Sequence, residues 1–332
     1  DDAGESAGYT QPVWSPDGAL IAWGQITGNG FAVAIQDPAT DRRTLAATPN
    51  LPFYMSWSPD GETLGVLHNG ADGVDFRMVD VSEESSLTVD SAAPYYFSWS
   101  PAGDRVVVHA GEDRVEEIES DGTRRQLEST SAAYLAPQWT PNGVFHVVGD
   151  ELVLEDEEGR RAPIASVSGF TMFVANPQGG SVALQTTGDG AGIAVAQREI
   201  PNVASGSVVV VDVETGSVET VSRGLSAGFF WSRDGDSLLV MRPSHSGIVP
   251  RVWTRSGSSV DFNEYQPSGA IVRDTLPFFP QYAQSVSFWS PDSSAFAFAG
   301  DVDGEQGIWV QNLDQDLPRM VSGGTWVAWS GG

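Results

Sequence analysis

Hydrophobic and polar residues alternate along most of the chain in short runs, the pattern of β-strands that turn one face to a core. In the first unit the runs are PVWS, LIAWGQ, FAVAIQD and RTLAA, and in the second YMSWS, TLGVLH, FRMVDV and SLTV. Polar turns separate them, and between those turns the apolar spacing never takes on a helical period. The pattern predicts four short antiparallel strands per unit, with the unit repeated along the chain.

The repeat has a marker. VWSPDG begins at Val13, SWSPDG at Ser56, SWSPAG at Ser98, QWTPNG at Gln138, FWSRDG at Phe230 and FWSPDS at Phe288. ANPQG is a degenerate copy with Ala175 in the tryptophan slot, and Trp329 closes the series. Positions 14, 57, 99, 139, 175, 231, 289 and 329 are separated by 43, 42, 40, 36, 56, 58 and 40 residues. A period near 40 with four strands per unit predicts an all-β fold, a β-propeller of four-stranded antiparallel blades. Seven sets of strands are complete. The final TWVAWSGG either packs separately or begins an incomplete eighth blade. Ser, Pro and Gly sit where a type I turn wants them, so each motif joins the first two strands of a blade as a hairpin. The preceding Trp wedges between neighbouring blades.

These WSPDG-type blades resemble the TolB-like propeller repeats of bacterial envelope proteins, and the likeness spans essentially the whole chain. It implies a propeller in the cell envelope, periplasm or secreted fraction. It does not imply one activity, since such blades serve partner-binding proteins, lyases and peptidase accessory domains alike. The opening DDAGESAGYT, residues 1–10, is expected to be a tether or a trimmed export junction, with residues 11–332 forming a single propeller domain.

Composition narrows the partners. The net charge is −27, from 44 acidic residues against 17 basic ones, and every base is arginine. So acidic a surface repels phosphate backbones and excludes nucleic acid as a partner. There is no cysteine, hence no disulfide, thiolate chemistry or Cys-ligated metal, and without lysine no Schiff base. No apolar run approaches the roughly 18 residues of a membrane span.

Two units are oversized. The excess is expected at residues 188–206, after the second strand of the fifth unit, and at residues 268–285, between the sixth and seventh units. Strand order puts both on the face away from the S-P-D-G turns, where long loops on a rigid scaffold collect binding residues. Aromatic residues precede the inner strands on that face: Phe53 and Tyr54, Tyr95 and Tyr96, Tyr134, and Phe229. Phe278, Phe279 and Tyr282 lie in the second insertion. Such rings can grip a peptide or stack on sugars, while alternation turns about half of them into the blades. Arg198, Glu199 and Arg242 add charged candidates.

Other motifs are weaker. His68, His109, His146 and His245 lack metal-ligand spacing. GLSAG (Gly224–Gly228) spells a nucleophile elbow but lies in a link leading into a strand, without the helix that motif needs. DVDGEQG (Asp301–Gly307) lacks the later ligands of a calcium loop. ESDGTRR, EDEEGRR and DPATDRR read as charged hairpin turns on a solvated rim. The expectation is an exported or envelope-associated propeller without catalytic residues, cofactor or metal, binding a partner protein or extracellular ligand through the insertion-bearing face. The alternatives are a propeller lyase or glycosidase acting on a polysaccharide, with His68, Arg198, Glu199 and Arg242 as its candidate groups, and a structural module of a surface assembly.

Overall fold

The computed structural model describes residues 9–40, 42–82, 85–112, 114–128, 135–167, 170–187, 193–195, 198–199, 205–286 and 288–331. They form seven antiparallel sheets, six of four strands and one of six, built on seven four-stranded blades in chain order, which is the seven-bladed β-propeller fold. Two compact units are resolved by internal contacts: residues 1–134 with 330–332, and residues 135–329. Blades 1 to 3 belong to the first unit and blades 4 to 7 to the second. The inner strand of blade 1, Tyr9–Trp14, starts inside the segment expected to be a tether.

The motif turns of blades 1, 2, 6 and 7 are held the same way. In blade 1 the Gly18 amide donates to Ser15 O at 2.9 Å, closing the turn. The Ser15 hydroxyl donates to Asp17 at 2.6 Å and accepts from the Leu20 amide at 2.9 Å, tying the turn to the start of the second strand. Ser232 and Ser290 repeat this with Asp234 and Asp292. Glycine is needed at the fourth turn position because its φ is positive, +71° at Gly18, and in blade 7 Ser293 adopts φ 58° without that freedom.

The tryptophans lock neighbouring blades. Trp57 Nε1 donates to Val13 O at 3.2 Å and Trp99 Nε1 to Ser56 O at 3.1 Å. In the second unit Trp231 donates to Val174 O at 3.0 Å and Trp289 to Phe230 O at 3.0 Å. Each acceptor directly precedes the motif slot of the blade before, so the ring is buried and its one polar atom is satisfied. Where Ala175 replaces the tryptophan, Gln138 spans the gap from blade 4: its Nε2 donates to Phe173 O at 2.9 Å and its Oε1 accepts from the Ala175 amide at 2.7 Å.

The tail forms no eighth sheet among the described residues. Residues 323–331 carry no strand, yet Trp329 Nε1 donates to Phe288 O at 2.9 Å, filling the lock position on blade 7. Gly331 lies against Pro16 and Gly18, so close that a Cβ on either glycine would strike backbone.

The two insertions go to different places. The first does follow the second strand of blade 5, and its described part is a hairpin, Ile193–Val195 with Arg198–Glu199. That hairpin pairs with the outer strand of blade 4, Arg161–Val167, through Ser166↔Ala194 and Val167↔Ile193, making a six-stranded sheet. The second does not link two blades, as the spacing suggested. It interrupts the inner strand of blade 7. Gln266 and Pro267 pair with Asp301 and Gly300, the insertion departs, and the strand resumes where Trp289 bridges Phe296. Between these points lie helix α1 (Gly269–Asp274), a 3-10 turn (Leu276–Phe278) and helix α2 (Phe279–Tyr282). The sequence shows no helical period there because these helices are too short to display one.

Candidate functional site

The second unit concentrates the candidate residues that reach solvent. Ser268 caps α1: its hydroxyl accepts from the Ile271 amide at 3.3 Å and donates to Thr325 O at 2.6 Å. Ile271, Phe279 and Ala283 are buried in the core cluster of this unit. Phe279 meets Phe229 edge-on at 4.8 Å and Phe230 at 5.2 Å, which pins the insertion to the inner strand of blade 6. With those side chains turned inward, Val272 and Phe278 remain 48% and 44% exposed, and Tyr282 is half-buried.

On blade 6 two guanidiniums share one carboxylate. Arg242 Nη1 reaches both Asp261 oxygens at 2.9 and 2.8 Å, and Arg251 donates to them through Nε at 2.6 Å and Nη2 at 3.1 Å. The strand register places Arg251 directly opposite Asp261. Hydrogen bonding from Arg251, with a further contribution from Arg242, holds the Asp261 carboxyl below its usual range. In the next loop, hydroxyls of Ser244 and Ser246 donate to Glu264 and keep it ionised to lower pH. The second unit thus exposes two apolar side chains on a core-anchored insertion and, on blade 6, two guanidiniums that share one carboxylate.

The remaining candidates lie elsewhere. Arg198 and Glu199 form the second strand of the hairpin on blade 4, a different sheet from Arg242. In the first unit Tyr54 is buried edge-on to Phe97 at 5.5 Å, and Tyr96 packs beside His109 at 5.8 Å. Tyr95 stacks on Phe76 at 5.4 Å and its hydroxyl donates to Asp90 at 3.4 Å. Burial, reinforced by the Asp90 charge, pushes the Tyr95 phenol well up. Tyr54, Tyr95, Tyr96, Phe229 and Phe279 are therefore packing residues, with no face offered to a ligand in this structure. Phe53 is half-buried beside the bulge between Pro52 and Tyr54. Tyr134 lies outside the described residues.

The histidines are mostly internal. His68, His109 and His146 are buried. His68 Nδ1 lies 2.9 Å from Asn69 O, and His146 Nε2 lies 3.0 Å from Glu155 Oε2. Among the described residues no group of three or more His, Cys, Asp or Glu side chains is placed to hold a metal ion. The Ser226 hydroxyl of GLSAG donates to Gln185 Oε1 at 3.1 Å, and Asp301 accepts from the Gly304 amide as an ordinary hairpin tip.

Sequence reasoning missed Val272, Arg251 and Asp261, and it read the arginine-pair turns as a solvated rim. In blades 3 and 4 the second arginine of the pair instead reaches a buried glutamate: Arg125 pairs with Glu117, and Arg161 with Glu155 at 2.8 Å. Strand alternation carries the signal, since Glu117 and Glu155 stand directly opposite these arginines.

No family model and no curated protein matches the chain. Solved structures do. An oligogalacturonate lyase in complex with manganese aligns with a TM-score of 0.58 at 14% identity, over 92% of this chain and 89% of its own. A prolyl endopeptidase aligns with a TM-score of 0.61 at 11% identity, over 96% of this chain and 50% of its own. TolB from Acinetobacter baumannii aligns with a TM-score of 0.46 at 16% identity, over 90% and 78%, a score too low to bear on family. These likenesses show the β-propeller fold and nothing finer. They overturn one expectation: two of the three structures are enzymes, so the absence of a recognisable motif does not exclude catalysis on this fold.

Proposed function

We propose that this β-propeller captures a partner protein or an extracellular ligand through the insertion-bearing side of its second unit, in an exported or envelope-associated setting. The observation that carries the reading is the insertion in blade 7. It is anchored like core, yet leaves Val272 and Phe278 in solvent. Exposed apolar side chains held by buried neighbours are preorganised, so little ordering entropy opposes their use in an interface. The Arg242–Asp261–Arg251 cluster supplies polar contacts on the same unit. No helix among the described residues is long and apolar enough to cross a membrane. The test is capture from the native envelope fraction by wild type and by V272S/F278A. A species recovered with wild type and lost with the variant, while the two melt within about 0.5 kcal/mol of each other, supports the reading. Equal recovery removes it.

A second reading rests on the same cluster. Guanidiniums exceeding their carboxylates suit an acidic sugar, and the alternative of a polysaccharide enzyme is carried by the alignment with an oligogalacturonate lyase. Incubation with oligogalacturonate, followed by detection of unsaturated ends, tests it directly.

A further inference from the structure

The segment that follows blade 7 runs back across both ends of the insertion in that blade. Ser268, from which the insertion departs, donates its hydroxyl hydrogen to Thr325 O at 2.6 Å. Phe288, on the returning side, accepts at its carbonyl from Trp329 Nε1 at 2.9 Å. The inner strand is broken between these points, with Gln266 and Pro267 paired on one side and Trp289 on the other. Residues 325–329 therefore join the two ends that the insertion separates.

This segment is fastened at few points. It pairs in no strand, and Trp326, Val327 and Trp329 are only half-buried. Trp326 and Val327 pack on the core cluster that also holds Ile271 and Phe279. Trp326 Nε1 is enclosed without a hydrogen-bond partner, and so is Thr275 Oγ1 at the end of α1. Unpaired buried groups weigh against the closed arrangement. Just upstream, Ser322 ends the outer strand and Gly323 and Gly324 follow. A Cβ at Gly323 would meet open space, and Gly324 holds φ +152°, a conformation open to glycine. A flexible pair thus precedes a lightly held segment.

We propose that residues 325–329 are a latch that docks and undocks about Gly323–Gly324, and that its docking positions α1, the helix carrying Val272. Phe279 pins the later part of the insertion to blade 6, whereas α1 is tied at its start through Ser268. That one hydroxyl couples the two, accepting from the Ile271 amide to cap α1 and donating to the latch. As regulation of the exposed surface, the latch rests on the capture reading above. Its test needs no partner, so failed capture and a failed latch are told apart.

The experiment follows amide hydrogen exchange of the whole chain by mass spectrometry. In S268D the carboxylate still caps α1 but cannot donate to Thr325 O. W329F removes the other bond and keeps an aromatic ring, and Phe288 O retains the Ala297 amide at 2.8 Å. Each variant is expected to speed exchange about tenfold in residues 269–275 as well as in 325–329. S268T keeps both hydroxyl bonds and is expected to match wild type. Strands Ser237–Pro243 and Ile248–Thr254 of blade 6 are expected to keep their wild-type rates. Faster exchange confined to 325–329, faster exchange spread equally over blade 6, or no change in either variant overturns the proposal. If S268D fails to fold, W329F decides by the same readings.

Discussion

The two insertions of the second unit add chain to the same scaffold by opposite means. The hairpin at 193–199 extends an outer strand through backbone pairing, and two residue pairs join it to blade 4. The insertion at 269–282 opens an inner strand and is anchored by side chains, with Phe279 set against Phe229 and Phe230. An addition at a sheet edge leaves the blade complete without it. One that splits an inner strand places side chains in the core it interrupts, as Ile271, Phe279 and Ala283 do.

The comparison breaks most readily at Phe279. Phe279→Ala is expected to cost about 3–5 kcal/mol in denaturant unfolding, because the cavity opens beneath the whole insertion. Replacing residues 190–202 by a short Gly-Ser link is expected to cost no more than about 2 kcal/mol, the net worth of a few edge hydrogen bonds. Similar losses from the two changes would show that they are anchored alike. A finer test uses pH. Asp261 is held below the carboxyl value of 3.8 by Arg251 and Arg242, so its stabilisation is complete above that pH and drains away as pH falls through the folded value. Melts of wild type and D261N from about pH 5 to about pH 2.5 should therefore converge on the acid side. A constant gap would mean that the charge cluster contributes nothing.

Most of the architecture was legible in the amino acids. The Trp-turn marker and two-residue alternation give four strands per blade and the order of blades, because both are local signals. The TolB-like resemblance reached the fold and stopped there. What stayed hidden depends on distant partners. The split strand at Gln266–Pro267 is invisible because its second half resumes around Trp289, beyond two helices too short to show a period. Tyr95 and Phe229 looked like a recognition ring because alternation says that one of two adjacent aromatics turns inward, not that both can be buried. Tyr95 and Tyr96 are both enclosed, each by a different neighbour.

The seam at Ala175 makes the blades non-interchangeable. At the seams of Trp57, Trp99, Trp231 and Trp289 the later blade donates a hydrogen bond to a main-chain carbonyl of the earlier one, so this contact asks nothing of the earlier blade's side chains. At Gln138 the exchange runs in both directions, through an amide on the earlier blade and a main chain cleared of its indole on the later one. Transplanting either partner alone would confront a glutamine with a bulky ring or leave an alanine facing a void. Shuffled or duplicated versions of this chain must therefore carry those two modules as a pair.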